Sequence, residues 1–264
     1  MHFAFICREE TAMNKLDADA KFIKGEYETA AKMYYELARD GDAVAAFNYG
    51  YLLWRGIGVP YNPTEAKSFF AFARDMEGGE ACYNLAMLYL HGEGVPRDYK
   101  KAYEYMRTSA ISGCIEAQLY LGMAHTMGCM LEPDVIGICM IPFHKPEFLG
   151  SVPMLEGDVP DLEADEALRY EALNQDEHLA FWWFQRAARH DPTYVADLVA
   201  KGKYLYAKCY VDGLGTDFDR EKSVRLMIAA SNSGSPEATA YLIENGITTG
   251  RLSGTAHQRL KGNG

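Results

Sequence analysis

A twelve-residue stretch occurs twice, 36 residues apart. RGIGVPYNPTEA at 55–66 lies over HGEGVPRDYKKA at 91–102. Gly56, Gly58, Val59, Pro60 and Ala66 map onto Gly92, Gly94, Val95, Pro96 and Ala102. The same interval joins Ala45, Ala81 and Ala117, then Gly50, Ala86 and Gly122, then Gly56, Gly92 and Gly128. A chain that repeats at this period builds an array of stacked units, each burying its apolar face on its neighbours. Few other folds are open to it.

Each unit reads as two helices. ACYNLAMLYLHG places Ala81, Leu85, Ala86, Leu88 and Tyr89 at near-helical spacing. Gly92 can take the positive φ that ends a helix, and Pro96 prevents its continuation. Asn62 and Asp98 then offer side-chain oxygens to the unpaired N–H groups of the next first turn. Pro63 suits a first helical position. In the second helix Ala66, Phe69, Phe70 and Ala73 share a side, echoed by Ala102, Tyr105, Met106 and Ser109. Gly50, Ala86 and Gly122 are small enough for close helix approach, with aromatic residues of the partner helix filling against them.

Weaker copies flank these units. Gly213, Gly215, Asp219 and Ser223 repeat the spacing of Gly56, Gly58, Asn62 and Ala66. Asp176 and Ala180 precede FWWFQRAARH, which reads as another second helix, and Ala30 in KGEYETAAKMYYELARDGD aligns with Ala66. From Asp176 to Asp219 is 43 residues, seven more than the period, which predicts a longer first helix beginning near Pro192.

This pattern, glycine pairs and alanines every 36 residues with an acidic cap and aromatic second helices, resembles Sel1-like repeats, relatives of the tetratricopeptide repeat. The resemblance implies an all-α, right-handed α/α solenoid of about five helix pairs. The expected divisions of one domain over 1–264 are a tetratricopeptide-like unit at 11–43 and repeats at 45–79 and 81–113. A repeat at 115–190 is interrupted by an insert at about 130–175. A further repeat at 192–234, a capping helix at 236–246 and a tail at 247–264 follow.

The interruption is large. Gly92 to Asp98 spans 6 residues, whereas Gly128 to Asp176 spans 48, so 42 residues are added. Met130 stands where the second glycine of the turn belongs. The added segment carries five prolines and the apolar run VIGICMIPF. Long segments of this kind inside an array are elaborated turns, partner-contacting elements or disordered stretches.

Composition narrows the function. A net charge of −11 argues against a nucleic-acid footprint, which needs a basic face. No apolar run nears the roughly 18 residues of a membrane helix. The first residues lack the basic start and long apolar core of a signal peptide, so a cytoplasmic location is expected, with a periplasmic or secreted one as the alternative. Six cysteines, at 7, 82, 114, 129, 139 and 209, form no CxxC and no zinc spacing, and read as buried or semi-buried free thiols, with disulfides as the minority reading.

No cofactor, metal or catalytic constellation is expected. The glycine turns lack a third glycine and follow no strand, and no GxxxxGK[ST], HExxH or SxxK occurs. His144 in PFHKPEF is a minor site candidate.

In tetratricopeptide-like arrays the first helices line the concave side, and positions 36 apart form columns along it. Asn48, Asn84 and Tyr120 make one column. Tyr51, Met87 and Met123 make a second, with Lys208 at the matching place. Arg55, His91 and Met127 make a third, with Asp212 matching. These are the expected partner-binding residues. They suit a non-enzymatic scaffold or adaptor for a protein or peptide. The alternatives are a secreted or surface-exposed bacterial factor engaging a host protein, and a hydrolase related to cysteine-rich Sel1-repeat proteins. Trp54 is expected to be partly exposed. Of Trp182 and Trp183 one is expected to be buried between repeats, while the other faces the insert.

Overall fold

The structure, a computed structural model, describes residues 15–75, 79–128 and 175–247. The described residues are all helix and turn. The helices are α1 (15–23), α2 (Tyr27–Arg39), α3 (Ala43–Arg55), α4 (Pro63–Asp75), α5 (Gly79–His91) and α6 (Tyr99–Ile111). After these come α7 (Ile115–Met127), α8 (Glu177–Ala187), α9 (Pro192–Asp212), α10 (Arg220–Asn232) and α11 (Pro236–Glu244). Two compact units divide at α7: the first takes in described residues up to Ala117, the second those from Gln118 onward.

Within each unit, consecutive helices pack as hairpins and the hairpins stack. In the first, α3 pairs with α4 and α5 with α6, while α2 lies on α3 and α4 on α5. In the second, α9 pairs with α10, with α8 against α9 and α11 against α10.

The hairpin turn is built by one repeated set of bonds. The first glycine sits in the left-handed region, at φ 65° for Gly56, 74° for Gly92 and 72° for Gly213. Its N–H reaches back to end the helix, as from Gly92 to the Leu88 carbonyl at 2.9 Å. The N–H of the capping residue then closes the turn on a carbonyl nine residues back. Asn62 donates to Leu53 at 2.8 Å, Asp98 to Tyr89 at 2.9 Å and Asp219 to Tyr210 at 3.1 Å. The capping side chains act as the sequence predicts. Asp98 accepts from the Lys101 N–H at 3.0 Å, Asp219 from Lys222 at 2.9 Å, and Asn62 from Glu65 at 3.2 Å.

The second glycine of the turn seats the hairpin on its predecessor. A Cβ on Gly58 would fall 2.4 Å from the Tyr27 carbonyl carbon, and one on Gly94 2.5 Å from the Thr64 nitrogen. On Gly215 it would lie 2.0 Å from the Glu177 oxygen. In all three cases the turn rests on the first turn of the preceding second helix. Only a residue without a side chain fits so close to backbone.

Between α7 and α8 the same frame closes across the added segment. The Asp176 N–H donates to the His125 carbonyl at 3.0 Å, the turn-closing bond of the other hairpins. Asp176 caps α8 through the Leu179 N–H at 2.9 Å. Gly128 is left-handed at φ 68°, and a Cβ there would meet Gln175 as one on Gly92 would meet Arg97. In sequence, residues 129–174 stand between Gly128 and Gln175 where residues 93–96 stand between Gly92 and Arg97.

The core interlocks by size. Residues eight past the cap point inward: Tyr34, Phe70, Met106, Phe184 and Met227 are all fully buried or nearly so. Opposite Phe70 stands Gly50, where a Cβ would lie 3.0 Å from the ring; opposite Phe184 stands Gly122, at 2.4 Å. Where the second helix carries Met106 or Met227, the matching first-helix position is Ala86 or Ala207. Ala207 and Met227 share one buried cluster. A ring needs the glycine, and the slimmer methionine leaves room for a methyl.

The longer first helix begins at Pro192, capped by Asp191 onto the Thr193 N–H at 2.8 Å, and bends where Val195 leaves helical geometry. Trp54 differs from expectation: it is buried, because its indole N–H donates to Glu93 of the next turn and Arg55 lies 5.3 Å over its ring. Trp183 is buried, while Trp182 is half-buried with the Arg186 guanidinium 4.9 Å over its ring. Its expected meeting with the insert lies outside the described residues.

Candidate functional site

The three columns on the first helices separate by depth. In the first unit, α3 carries Asn48, Tyr51 and Arg55, and α5 carries Asn84, Met87 and His91. Asn48, Tyr51, Asn84 and Met87 are buried, His91 is half-buried and Arg55 is exposed. In the second unit, Tyr120 is buried, Met123 half-buried, and Met127, Lys208 and Asp212 exposed. The asparagine and Tyr51/Met87 positions therefore lie below the surface. The accessible members sit toward the C-terminal ends of the helices.

The two buried asparagines have different surroundings. The Tyr34 hydroxyl donates to Asp19 at 2.7 Å and also lies in hydrogen-bonding contact with the Asn48 side chain. Burial, then the Asp19 carboxylate, pushes the Tyr34 phenol far up. One period on, the ring is Phe70, which has no hydroxyl. Asn84 is fully buried, and neither its Nδ2 nor its Oδ1 has a hydrogen-bond partner. Sequence reading placed Asn84 in a column but did not separate it from Asn48. The signal was available, since Tyr34 and Phe70 stand 36 apart.

The third column divides by charge. In the first unit Arg55 rests on the Trp54 ring, whose N–H is held by Glu93. In the second unit Lys208 pairs with Asp212 at 2.5 Å along one face of α9, and the pairing raises the lysine's pKa. Tyr61, just before the Asn62 cap, is 58% exposed, and sequence reading did not mark it.

Nucleophilic and metal chemistry finds little among the described residues. No group of three His, Cys, Asp or Glu side chains is arranged to hold a metal ion. Cys82, Cys114 and Cys209 are free and buried, and burial pushes the thiols up, to about 11 for Cys82 and about 12 for Cys209. Thiols so placed stay protonated at neutral pH and are poor nucleophiles. His190 meets Gln118 at 2.9 Å, and burial holds its imidazole below the usual value. His144 lies outside the described residues, as do Cys7, Cys129 and Cys139. No described helix is long and apolar enough to cross a membrane.

Comparison with known proteins follows the same frame. A family model described as Sel1 repeat matches residues 43–76, 79–114, 115–135, 169–192 and 200–235, more than half of the chain. Two solved structures share the fold. A Sel1 repeat protein from Oxalobacter formigenes is 18% identical with a TM-score of 0.63, over 87% of this chain and 74% of that one. The protein c5321, a protective antigen of uropathogenic Escherichia coli displaying an SLR fold, is 19% identical with a TM-score of 0.63. That match covers 92% of this chain and 43% of the antigen, so this chain spans less than half of it. No curated protein matches by sequence.

Proposed function

The chain belongs to the Sel1-repeat family, and from that premise we propose that it is a non-enzymatic adaptor holding an extended protein or peptide segment against its first helices. Asn84 carries this reading. A buried polar group without a partner costs about 1–3 kcal/mol, and here a donor and an acceptor of one carboxamide are both unmet. A carboxamide offers one such pair to a peptide unit, which presents the complementary N–H and C=O. Asn84 is fully buried, so a bound main chain would recover that cost only where it displaces the side chains that cover the amide. Arg55 and His91 stand on the same two helices at their C-terminal ends, where they would engage the segment's side chains. Taken by itself, the second unit offers Met123 and Met127 as adaptable apolar contacts and Lys208 and Asp212 as polar groups.

A displayed library of random peptides tests this. The wild-type chain should enrich a related set of sequences. Asn84→Ala should lose at least tenfold in affinity for them while unfolding at the same urea concentration. Arg55→Ala should lose less, and alter which side chains are selected. A selected set bound equally by wild type, Asn84→Ala and Arg55→Ala would sink the assignment.

A further inference from the structure

We propose that the C-terminal end of α8 is a binding site for the carboxylates of an acidic protein segment, with Arg186, laid over the Trp182 ring, at its centre and Arg189 beside it. Arginines of other second helices have acids to meet. Arg39 pairs with Glu36, Arg74 with Asp75 and Arg225 with Glu221. On α8 and the turn after it, Arg186 and Arg189 form no ion pair with any described residue.

Arg186 is half-buried, and its Nε is shielded from solvent without a hydrogen-bond partner among the described residues. The guanidinium lies 4.9 Å over the Trp182 ring. In the other second helices the place of Trp182, six past the cap, is held by Lys32, Ser68, Glu104 and Arg225, all exposed. The repeat itself therefore does not call for a ring there. A guanidinium held by its face keeps the N–H groups of its edge for an acceptor.

The neighbouring charges point the same way. Burial, then the Arg189 charge, lowers the pKa of Arg186, and burial, then Arg186, lowers that of His190. The acid next in the chain, Asp191, is engaged by the N–H and hydroxyl of Thr193. His190 is turned to Gln118 at 2.9 Å. Two guanidiniums three residues apart thus repel each other, and a partly desolvated cation without an acid costs free energy. A bound carboxylate would relieve the repulsion and give the Arg186 edge its acceptor. Arg189 is exposed, which leaves the site open to a partner.

The rest of the chain narrows the anion. Its net charge is −11, so a nucleic acid or an anionic lipid surface would meet repulsion over a broad contact. Two cations on one helical turn suit a short acidic stretch instead. Trp182 beside them offers apolar contact to the residues that flank its carboxylates.

The test uses the isotope-labelled full chain, followed by NMR, with three probes: blocked triglutamate, blocked triglutamine and inorganic phosphate. Triglutamate should shift the Arg186 Nε–H and Trp182 indole N–H resonances saturably, and should weaken several-fold as salt is raised to about 1 M. Triglutamine should shift neither. Arg186→Gln should weaken triglutamate about tenfold, and Arg189→Gln about threefold. Arg186→Gln should unfold at the same urea concentration as wild type or a higher one, since it removes a half-buried cation that has no acid. Equal binding of triglutamate by wild type and Arg186→Gln would overturn the proposal, as would no saturation by about 20 mM. Phosphate bound as tightly as triglutamate would overturn it too, because the site would then draw any small anion. A lower urea midpoint for Arg186→Gln would show that an acid of the same chain already holds Arg186, and would equally sink it.

Discussion

The hairpins α3/α4 and α5/α6 share a backbone and differ at a few side chains 36 residues apart. Their turns are interchangeable: Gly56, Gly58 and Asn62 do what Gly92, Gly94 and Asp98 do. Their interiors are not. The first opposes Gly50 to a phenyl ring, while the second has Ala86 and Met106 in those places. The polar positions diverge too, for Asn48 meets a tyrosine hydroxyl and Asn84 meets none. A repeat array therefore holds its geometry by backbone bonds and lets each unit settle its own core.

The largest effect should fall on what the two hairpins share. Gly94→Ala puts a Cβ 2.5 Å from the Thr64 nitrogen and forces alanine into a left-handed conformation. Loss of about 2–4 kcal/mol is expected, from overpacking and backbone strain together. Gly92→Ala meets only the Arg97 Cβ and N at 3.2 Å and should lose about 1–2 kcal/mol. Urea unfolding measures both. Equal losses would mean that the second glycine has no seating role.

Next come the asparagines, where the comparison can be broken outright. Asn48→Ala removes a partner from the Tyr34–Asp19 network and should destabilise by about 1–2 kcal/mol. Asn84→Ala removes two unmet groups and should be within about 0.5 kcal/mol of wild type. Phe70→Tyr offers Asn84 the hydroxyl that Asn48 already has and should convert the second case into the first. The readout is that Asn84→Ala becomes costly in the Phe70→Tyr background.

The interior swap is smaller. Gly50→Ala brings a Cβ to 3.0 Å from the Phe70 ring, a strain partly offset by a helix propensity gain of about 1 kcal/mol. Phe70→Met relieves it. The double variant adopts the second hairpin's solution and should be about 1 kcal/mol more stable than the two single effects sum to. Additive effects would show that the glycine–ring and alanine–methionine pairings are unrelated.

The smallest effect is on pH. Burial holds the His125 and His190 imidazoles below their ordinary value of 6.5, and in His125 Asp176 opposes the shift. Both bind a proton less readily in the folded chain than in the unfolded one. Their contribution is thus fully present above pH 6.5 and falls away as the pH drops toward their folded values. Glu116 runs the other way. Burial raises its carboxyl above 4.5, so its contribution is present below that value and lost as pH rises through the folded one. Between pH 7.5 and 5.5 the urea midpoint should therefore decline, and His190→Gln should flatten part of that decline. An unchanged slope in the variant would remove His190 from the account.

Much of this was legible beforehand, for a local reason. Helix ends, turns and caps are made by residues within nine positions of each other, so Gly92, Asp98 and Asp219 announced their roles by spacing. The small residues at 50 and 122 were readable because a tight helix crossing leaves few choices. Depth was less legible. Tyr51, Met87 and Trp54 occupy first-helix positions that spacing alone put on the open side, and packing buried them. Trp54 shows why: its N–H found a carboxylate 39 residues away, in the next turn.

The sequence alone determined the period, the helical hairpin, the glycines of the turn and the place where the frame is interrupted, because each depends on local backbone chemistry repeated along the chain. Only the tertiary structure decided which polar side chains would be satisfied and which left waiting. Asn48 and Asn84 are the same residue in the same register. One meets a tyrosine hydroxyl and the other meets no partner; Tyr34 and Phe70 already differ in the sequence, but whether a ring reaches the asparagine is settled only once two helices are packed together.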